Sequence, residues 1–322
     1  MYKVIIKLLL IFFISACSRS LSPSLTTLPK IQTGNLPEGT MEITIPFLSN
    51  CSHSQDQLLQ FNPDEPMLIL VHGCNGSAGK FLALANVFAF HGQQTACFNY
   101  NDRDSMMTSS AQFIRAIRVL REHMNNPKIT VIAHSQGGLV ARKALIRERT
   151  EASQWEQDIE LHLITISAPF AGISAAKYCG SNVALFLSLG ASIPICQMIT
   201  GDKWSEIHHS SDFIQQPGTL IDPVDYYLKI VTDERESCLY QNEAGECIEN
   251  DYIFTVEEQY FTKVDIDPLL VNVEVNAGHM EIVGDENIIP TKLINVLQKQ
   301  GIMNPTPPSS KKELVKLLET LY

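Results

Sequence analysis

Ser135 stands where a β-branched run gives way to a helix-forming one. Ile129-Thr130-Val131-Ile132 predicts a strand and Leu139-Val140-Ala141-Arg142-Lys143-Ala144-Leu145 a helix, with a few mostly small residues between them. Ala133, Gly137 and Gly138 let strand and helix cross almost in contact. The turn forces the serine into sparsely populated backbone geometry, a strain of about 1–3 kcal/mol. The pattern is the elbow G-x-S-x-G with Ala133 in place of the first glycine. A serine hydroxyl is a weak nucleophile at neutral pH. It needs a histidine to take its proton and an acid to hold that histidine in the right tautomer. Ala277-Gly278-His279-Met280 directly follows the last predicted strand, and His279 is the only histidine beyond His209. Asp233, at the end of a predicted strand over 226–232, occupies the simplest position for the acid, and Asp251 is the other candidate. Asp222, Asp225 and Asp265 read as surface or capping residues, and the adjacent His208 and His209 as surface residues.

These side chains need a frame. A continuous apolar run over 66–71 predicts a strand buried on both faces, further strands are read over 95–100, 129–132, 162–167, 226–232 and 269–275, and 41–47 alternates like a half-buried strand. Helical spacing covers 80–90, 111–124 and 291–300. Such alternation predicts an α/β fold with a mostly parallel, doubly wound sheet, whose sites lie beyond the carboxyl ends of the strands. His72-Gly73, Ser135 and Ala168-Pro169-Phe170 all sit at such ends, so one side of the sheet should gather them. Residues 173–222 break the alternation with the apolar stretch 184–193 and then Trp204, Ile207 and Phe213. A helical lid inserted over the catalytic side is the expectation there. Residues 301–322 read as a linker and a short terminal helix.

The chain has 322 residues, a net charge of -11 and 45% hydrophobic residues, enough for one large domain with insertions. Its acidic balance, and the absence of any Lys/Arg-rich run, argue against nucleic acid as a partner. Lys3 and Lys7 precede a short apolar core over 8–14 and then Ser15-Ala16-Cys17. Residues 1–16 therefore read as a secretory signal peptide, too short to span a bilayer, and 17–40, rich in Ser, Thr and Pro, as a flexible tether. Export implies oxidising conditions. Of eight cysteines, setting Cys17 aside leaves an odd seven. Cys238 and Cys247 bracket a polar hairpin-like loop and are read as a disulfide; Cys179 and Cys196 bracket a hydrophobic stretch and are a second candidate pair. Cys51, Cys74 and Cys97 are not assignable from spacing. No CxxC and no histidine cluster at ligand spacing points to zinc.

Two resemblances add to this reading. Ile14-Ser15-Ala16-Cys17 resembles the bacterial lipobox, which implies that Cys17 carries a lipid anchor on an exported membrane lipoprotein. Ser18 after that cysteine would direct it to the outer membrane or cell surface. Over about residues 41–300, VHGCNGS, AHSQGGLVAR, SAPFAG and NAGHMEIVG resemble the α/β-hydrolase superfamily, in particular the lipases and the GPI inositol-deacylase-like hydrolases. The resemblance implies the α/β-hydrolase fold and the order Ser, acid, His. It favours Asp251 over Asp233, because Asp251-Tyr252-Ile253-Phe254 is similar to the lipase pattern D-G-V-V, with a tyrosine where lipases often carry glycine. It places the oxyanion-binding N–H groups on Gln136, after the nucleophile, and on Cys74, the x of V-H-G-x, with His72 a strut for that loop. The activity implied is carboxylic-ester hydrolysis on lipid substrates through an acyl-enzyme, with no metal or organic cofactor. An acyltransferase or thioesterase on the same triad, or a non-catalytic lipid-binding lipoprotein, are the competing readings.

Overall fold

The computed structural model describes Leu36, Lys203 and residues 38–54, 57–149, 159–173 and 205–322. The signal peptide, Cys17, most of the tether, the Cys179–Cys196 pair and most of the expected lid lie outside the described residues.

Among the described residues, seven strands form the central sheet. We label all strands in chain order: β1 (Met41–Thr44), β2 (Leu48–Ser49), β3 (Leu58–Phe61), β4 (Met67–Val71), β5 (Gln94–Phe98), β6 (Lys128–His134), β7 (Glu160–Ile166), β8 (Val224–Asp233), β9 (Cys238–Gln241), β10 (Cys247–Asn250) and β11 (Leu270–Asn276). The sheet order is β11-β8-β7-β6-β4-β5-β2, parallel throughout except for β2 against β5. The 41–47 segment does not join it. β1 pairs with β3 in a separate antiparallel ribbon, and only Leu48–Ser49 reaches the main sheet.

Pleating explains why β4 is apolar throughout. Met67, Ile69 and Val71 enter one core with Phe98, Val131, Leu163 and Tyr227, while Leu68 and Leu70 enter the other with Ile132, Ile164, Leu228 and Ile230. A strand buried on both faces, as β4 is, thus needs an apolar residue at every position. Helices close both faces: α1 (Leu82–Phe90) and α7 (Thr291–Lys299) on one side, α2 (Met106–Glu122) and α3 (Gln136–Ala144) on the other. α2 begins a turn and a half earlier than its apolar spacing predicts. Ser105 caps it by accepting the Thr108 N–H, and Glu206 takes the Met106 N–H. Short helices α4 (Asp212–Gln215), α5 (Val256–Gln259) and α6 (Thr262–Asp265) fill the stretches flanking β8 and β11. Directly after α7, Ile302 and Met303 are buried and the Asn304 side chain donates to the His91 carbonyl, whereas most of 304–310 is exposed. The terminal helix α8 (Lys311–Leu321) follows.

Two disulfides lie among the described residues. Cys238–Cys247 staples the β9–β10 hairpin, as its spacing predicts, and Cys51–Cys97 ties the loop after β2 to β5. Cys74 is a free thiol. The strand order reverses around β4, whose neighbours are β5 and β6, so the crevice beyond the ends of β4 and β6 is where a ligand should bind.

Candidate active site

β6 ends at His134, and Ser135 turns the chain into α3 with φ 57° and ψ −130°. This is the strained, positive-φ serine that the elbow demands. The tight packing of the turn is visible atom by atom, against the end of β4 and the residues after β7. A Cβ on Gly137 would lie 2.4 Å from the His72 carbonyl oxygen, and one on Gly138 2.7 Å from the Ala168 Cβ. Gly73 is pressed against Ser135 itself, where a Cβ would stand 2.6 Å from the Ser135 Cβ.

His279 reaches the serine. Its Nε2 lies 3.1 Å from the Ser135 Oγ and its Nδ1 2.9 Å from the Glu234 Oε1. The acid in contact is therefore Glu234. Neither Asp251 nor Asp233, the two expected from sequence, touches the imidazole nitrogens. β8 explains why. Successive side chains on a strand point to opposite faces. Asp233 faces outward into a bidentate contact with Arg235, which lowers its carboxyl to about 2. Glu234, one residue on, turns inward and is fully buried. Arg235 at i+2 from Asp233 was the available signal: it shares the aspartate's side and leaves Glu234 for the interior.

Asp251 holds the histidine loop instead. Its carboxylate accepts the N–H groups of Met280 and Glu281, and its carbonyl accepts the His279 N–H at 2.9 Å. A Cβ on Gly278 would fall 2.1 Å from the Asp251 Oδ2, so glycine precedes the histidine because the carboxylate occupies that space. Burial pushes the Asp251 carboxyl up, against the opposing pull of those two N–H groups.

Five donors converge on the Glu234 carboxylate. Oε1 takes His279 Nδ1–H, the Ser167 hydroxyl at 2.7 Å and the Thr232 hydroxyl at 3.0 Å; Oε2 takes the Ile253 and Phe254 N–H groups at 2.6 and 2.8 Å. Burial alone would raise this carboxyl, but the bond and charge of His279 and the other donors hold it below its usual value. The network selects the tautomer with hydrogen on Nδ1, leaving Nε2 free to accept from Ser135. Phe254 meets the His279 ring edge-on at 4.8 Å, and the His134 ring lies 4.6 Å from it and donates from Nε2 to the His279 carbonyl. Burial, then the nearby His279, keep His134 neutral well below the usual histidine range.

Gln136 is the first residue of α3, so its N–H has no intrahelical partner. Cys74 lies in the loop after β4, next to Gly73. His72 does not approach the serine's proton. Its Nδ1 bonds the Gly73 carbonyl and its ring stacks on Tyr100, whose hydroxyl donates to the His72 carbonyl. His72 is a strut, as its position suggests. His208 is buried rather than a surface residue, its Nδ1 2.8 Å from the Ser210 Oγ. Among the described residues, one group has metal-ligand spacing, Glu160, His162 and Asp225. It lies at the starts of β7 and β8, the opposite end of the sheet from Ser135, and Glu160 also pairs with Lys128 there.

A sequence model for the α/β hydrolase fold matches residues 66–154, which span β4 through α3 and include the elbow. Two crystal structures of a Bacillus licheniformis lipase superpose on the chain. The mature form has a TM-score of 0.52 at 18% identity, over 79% of this chain and 96% of that one. The propeptide form has a TM-score of 0.54 at 18% identity, over 81% of this chain and 54% of that one. Among curated protein sequences no relative was found. The chain has the α/β-hydrolase fold, with a mostly parallel central sheet.

Proposed function

We propose that this chain is a serine-dependent carboxylic-ester hydrolase acting on lipid esters, with Ser135 the nucleophile, His279 the general base and acid, and Glu234 the triad acid. The observation that carries it is the unbroken chain Ser135 Oγ, His279 Nε2, His279 Nδ1, Glu234 Oε1, with both links at hydrogen-bond distance. His279 takes the hydroxyl proton as Ser135 attacks the ester carbonyl, and Glu234 stabilises the imidazolium. The tetrahedral oxyanion is met by the N–H groups of Gln136 and Cys74. His279 then gives its proton to the leaving alcohol. Water, activated by the same histidine, releases the acid from the acyl-enzyme.

The lipid substrate class rests on the apolar stretch 184–193 in the insertion and on the lipase named among the structures of like fold. Export as a lipoprotein anchored through Cys17 belongs to the same reading. The N-terminal sequence supports it, as do the two disulfides, which persist in oxidising compartments. A panel of p-nitrophenyl esters tests the substrate class. Turnover should rise with acyl length beyond acetyl, and a preference for acetyl would replace the lipase reading with that of a small-ester esterase.

A further inference from the structure

The last described part of the insertion sends one charged side chain into the site. Lys203 is almost wholly buried, and its ammonium has three close acceptors: the Asp102 carbonyl at 2.6 Å, the Gln136 Oε1 at 2.6 Å and the Cys74 Sγ at 3.1 Å. An ammonium has three hydrogens to donate, so this set uses all of them. The acceptors come from the segments that follow β5, β6 and β4, Gln136 being the first residue of α3. Two belong to the residues whose N–H groups face the oxyanion in the proposed reaction.

The surrounding bonds make the ammonium a keystone. The Gln136 amide is fixed at both ends, accepting from Lys203 and donating to the Asp102 carbonyl at 3.0 Å. The Asp102 carboxylate takes the Asn75 N–H at 2.8 Å and lies 3.6 Å from the Lys203 Nζ. The loop carrying Cys74 is therefore tied to Asp102 from the next residue as well. Glu206 anchors the same segment to the start of α2 through Ser105 and the Met106 N–H.

We infer that Lys203 is a positioning residue that sets the spacing of the Cys74 and Gln136 N–H groups, so that the insertion and the oxyanion site are assembled together. This rests on the hydrolase reading. Misplacing groups near the reacting atoms by about 1 Å costs about a hundredfold in rate. Such a fault acts on the oxyanion and leaves the ground-state ester untouched.

The test compares wild type, Lys203→Met, Lys203→Arg, Gln136→Leu and the Lys203→Met/Gln136→Leu double variant. It uses a soluble p-nitrophenyl ester and a neutral phosphonate, with thermal melts to establish folding. In Lys203→Met, kcat should fall roughly 10–100-fold with KM little changed, and phosphonate inactivation should slow in parallel. Lys203→Arg keeps the charge, but its planar fork cannot serve three diverging acceptors, so a smaller loss confined to kcat is expected. The double variant should be no slower than the worse single variant, because both act through one contact. Wild-type kcat in a folded Lys203→Met overturns the inference, as do a loss carried by KM or additive losses in the double variant. Should Lys203→Met not fold, wild-type kcat in Lys203→Arg overturns it. A wild type that neither turns over esters nor reacts with the phosphonate overturns the hydrolase reading first, and this inference with it.

Discussion

Replacing Glu234 by Gln exchanges one oxygen for an NH₂ in a pocket where all five partners are donors. The amide has two orientations, and both fail. With nitrogen toward His279, Nδ1–H loses its acceptor, the ring favours the tautomer with hydrogen on Nε2, and Ser135 has no base. With nitrogen toward Ile253 and Phe254, two backbone N–H groups are orphaned in the interior, at about 1–3 kcal/mol each. The first orientation keeps the fold and loses the chemistry. The corresponding acid-to-amide change in the Ser-His-Asp template costs about 10⁴ in kcat, or about 5.4 kcal/mol at 1.36 kcal/mol per decade. The same order is expected here. The assay is steady-state hydrolysis of a p-nitrophenyl ester by Glu234→Gln, Asp251→Asn and Asp233→Asn, each checked by thermal melting. Asp251→Asn should lower Tm and reduce kcat less, because it loosens the loop that carries His279 without touching the ring. Asp233→Asn should match wild type, since that carboxylate faces solvent and Arg235. Glu234→Gln within about tenfold of wild type, against the expected 10⁴, would refute the assignment, as would Asp251→Asn being the slower enzyme.

Four further outcomes are expected. Glu234 has a folded pKa below its unfolded value of about 4.3, so its contribution to stability is present above that pH and is lost as pH falls through the folded value. Thermal melts of Glu234→Gln should accordingly lose less Tm on acidification in that window than wild type does. His134 is held neutral while the unfolded chain binds a proton below about pH 6.5, so wild-type Tm should fall as pH drops below that point and His134→Gln should fall less. Gly73→Ala would set a Cβ 2.6 Å from the Ser135 Cβ, so it should abolish phosphonate labelling while circular dichroism still shows a folded sheet. Replacing Cys51 and Cys97 together by Ala should cost about 2–5 kcal/mol in denaturant melts, because the bridge closes a loop between residues 46 apart.

The frame was legible because its signals are local and redundant. The strand β4 is apolar at all five positions, and the elbow needs small residues on both sides of Ser135. His279 was legible by elimination. The carboxylate that bonds His279 was not, because two carboxylates stand side by side at the end of β8 and a third follows the hairpin. Choosing among them needs the pleat phase at the strand's last residue, where one step reverses the side chain. Asp251 drew attention for a sound reason, since it does hold the histidine loop, but through backbone N–H groups rather than the ring. Lys203 carried no sequence signal. Its partners lie 67 to 129 residues away along the chain, and only the fold brings them together.

The central claim is that Ser135 is the nucleophile of an acyl-transfer site. It is tested most directly by reacting the folded protein with a serine-directed alkyl phosphonate and locating the adduct by peptide mass spectrometry. One phosphonate per chain on the peptide containing Ser135, absent in Ser135→Ala, is the result expected. An unlabelled folded wild type, or an adduct on another residue with ester turnover intact in Ser135→Ala, would contradict it.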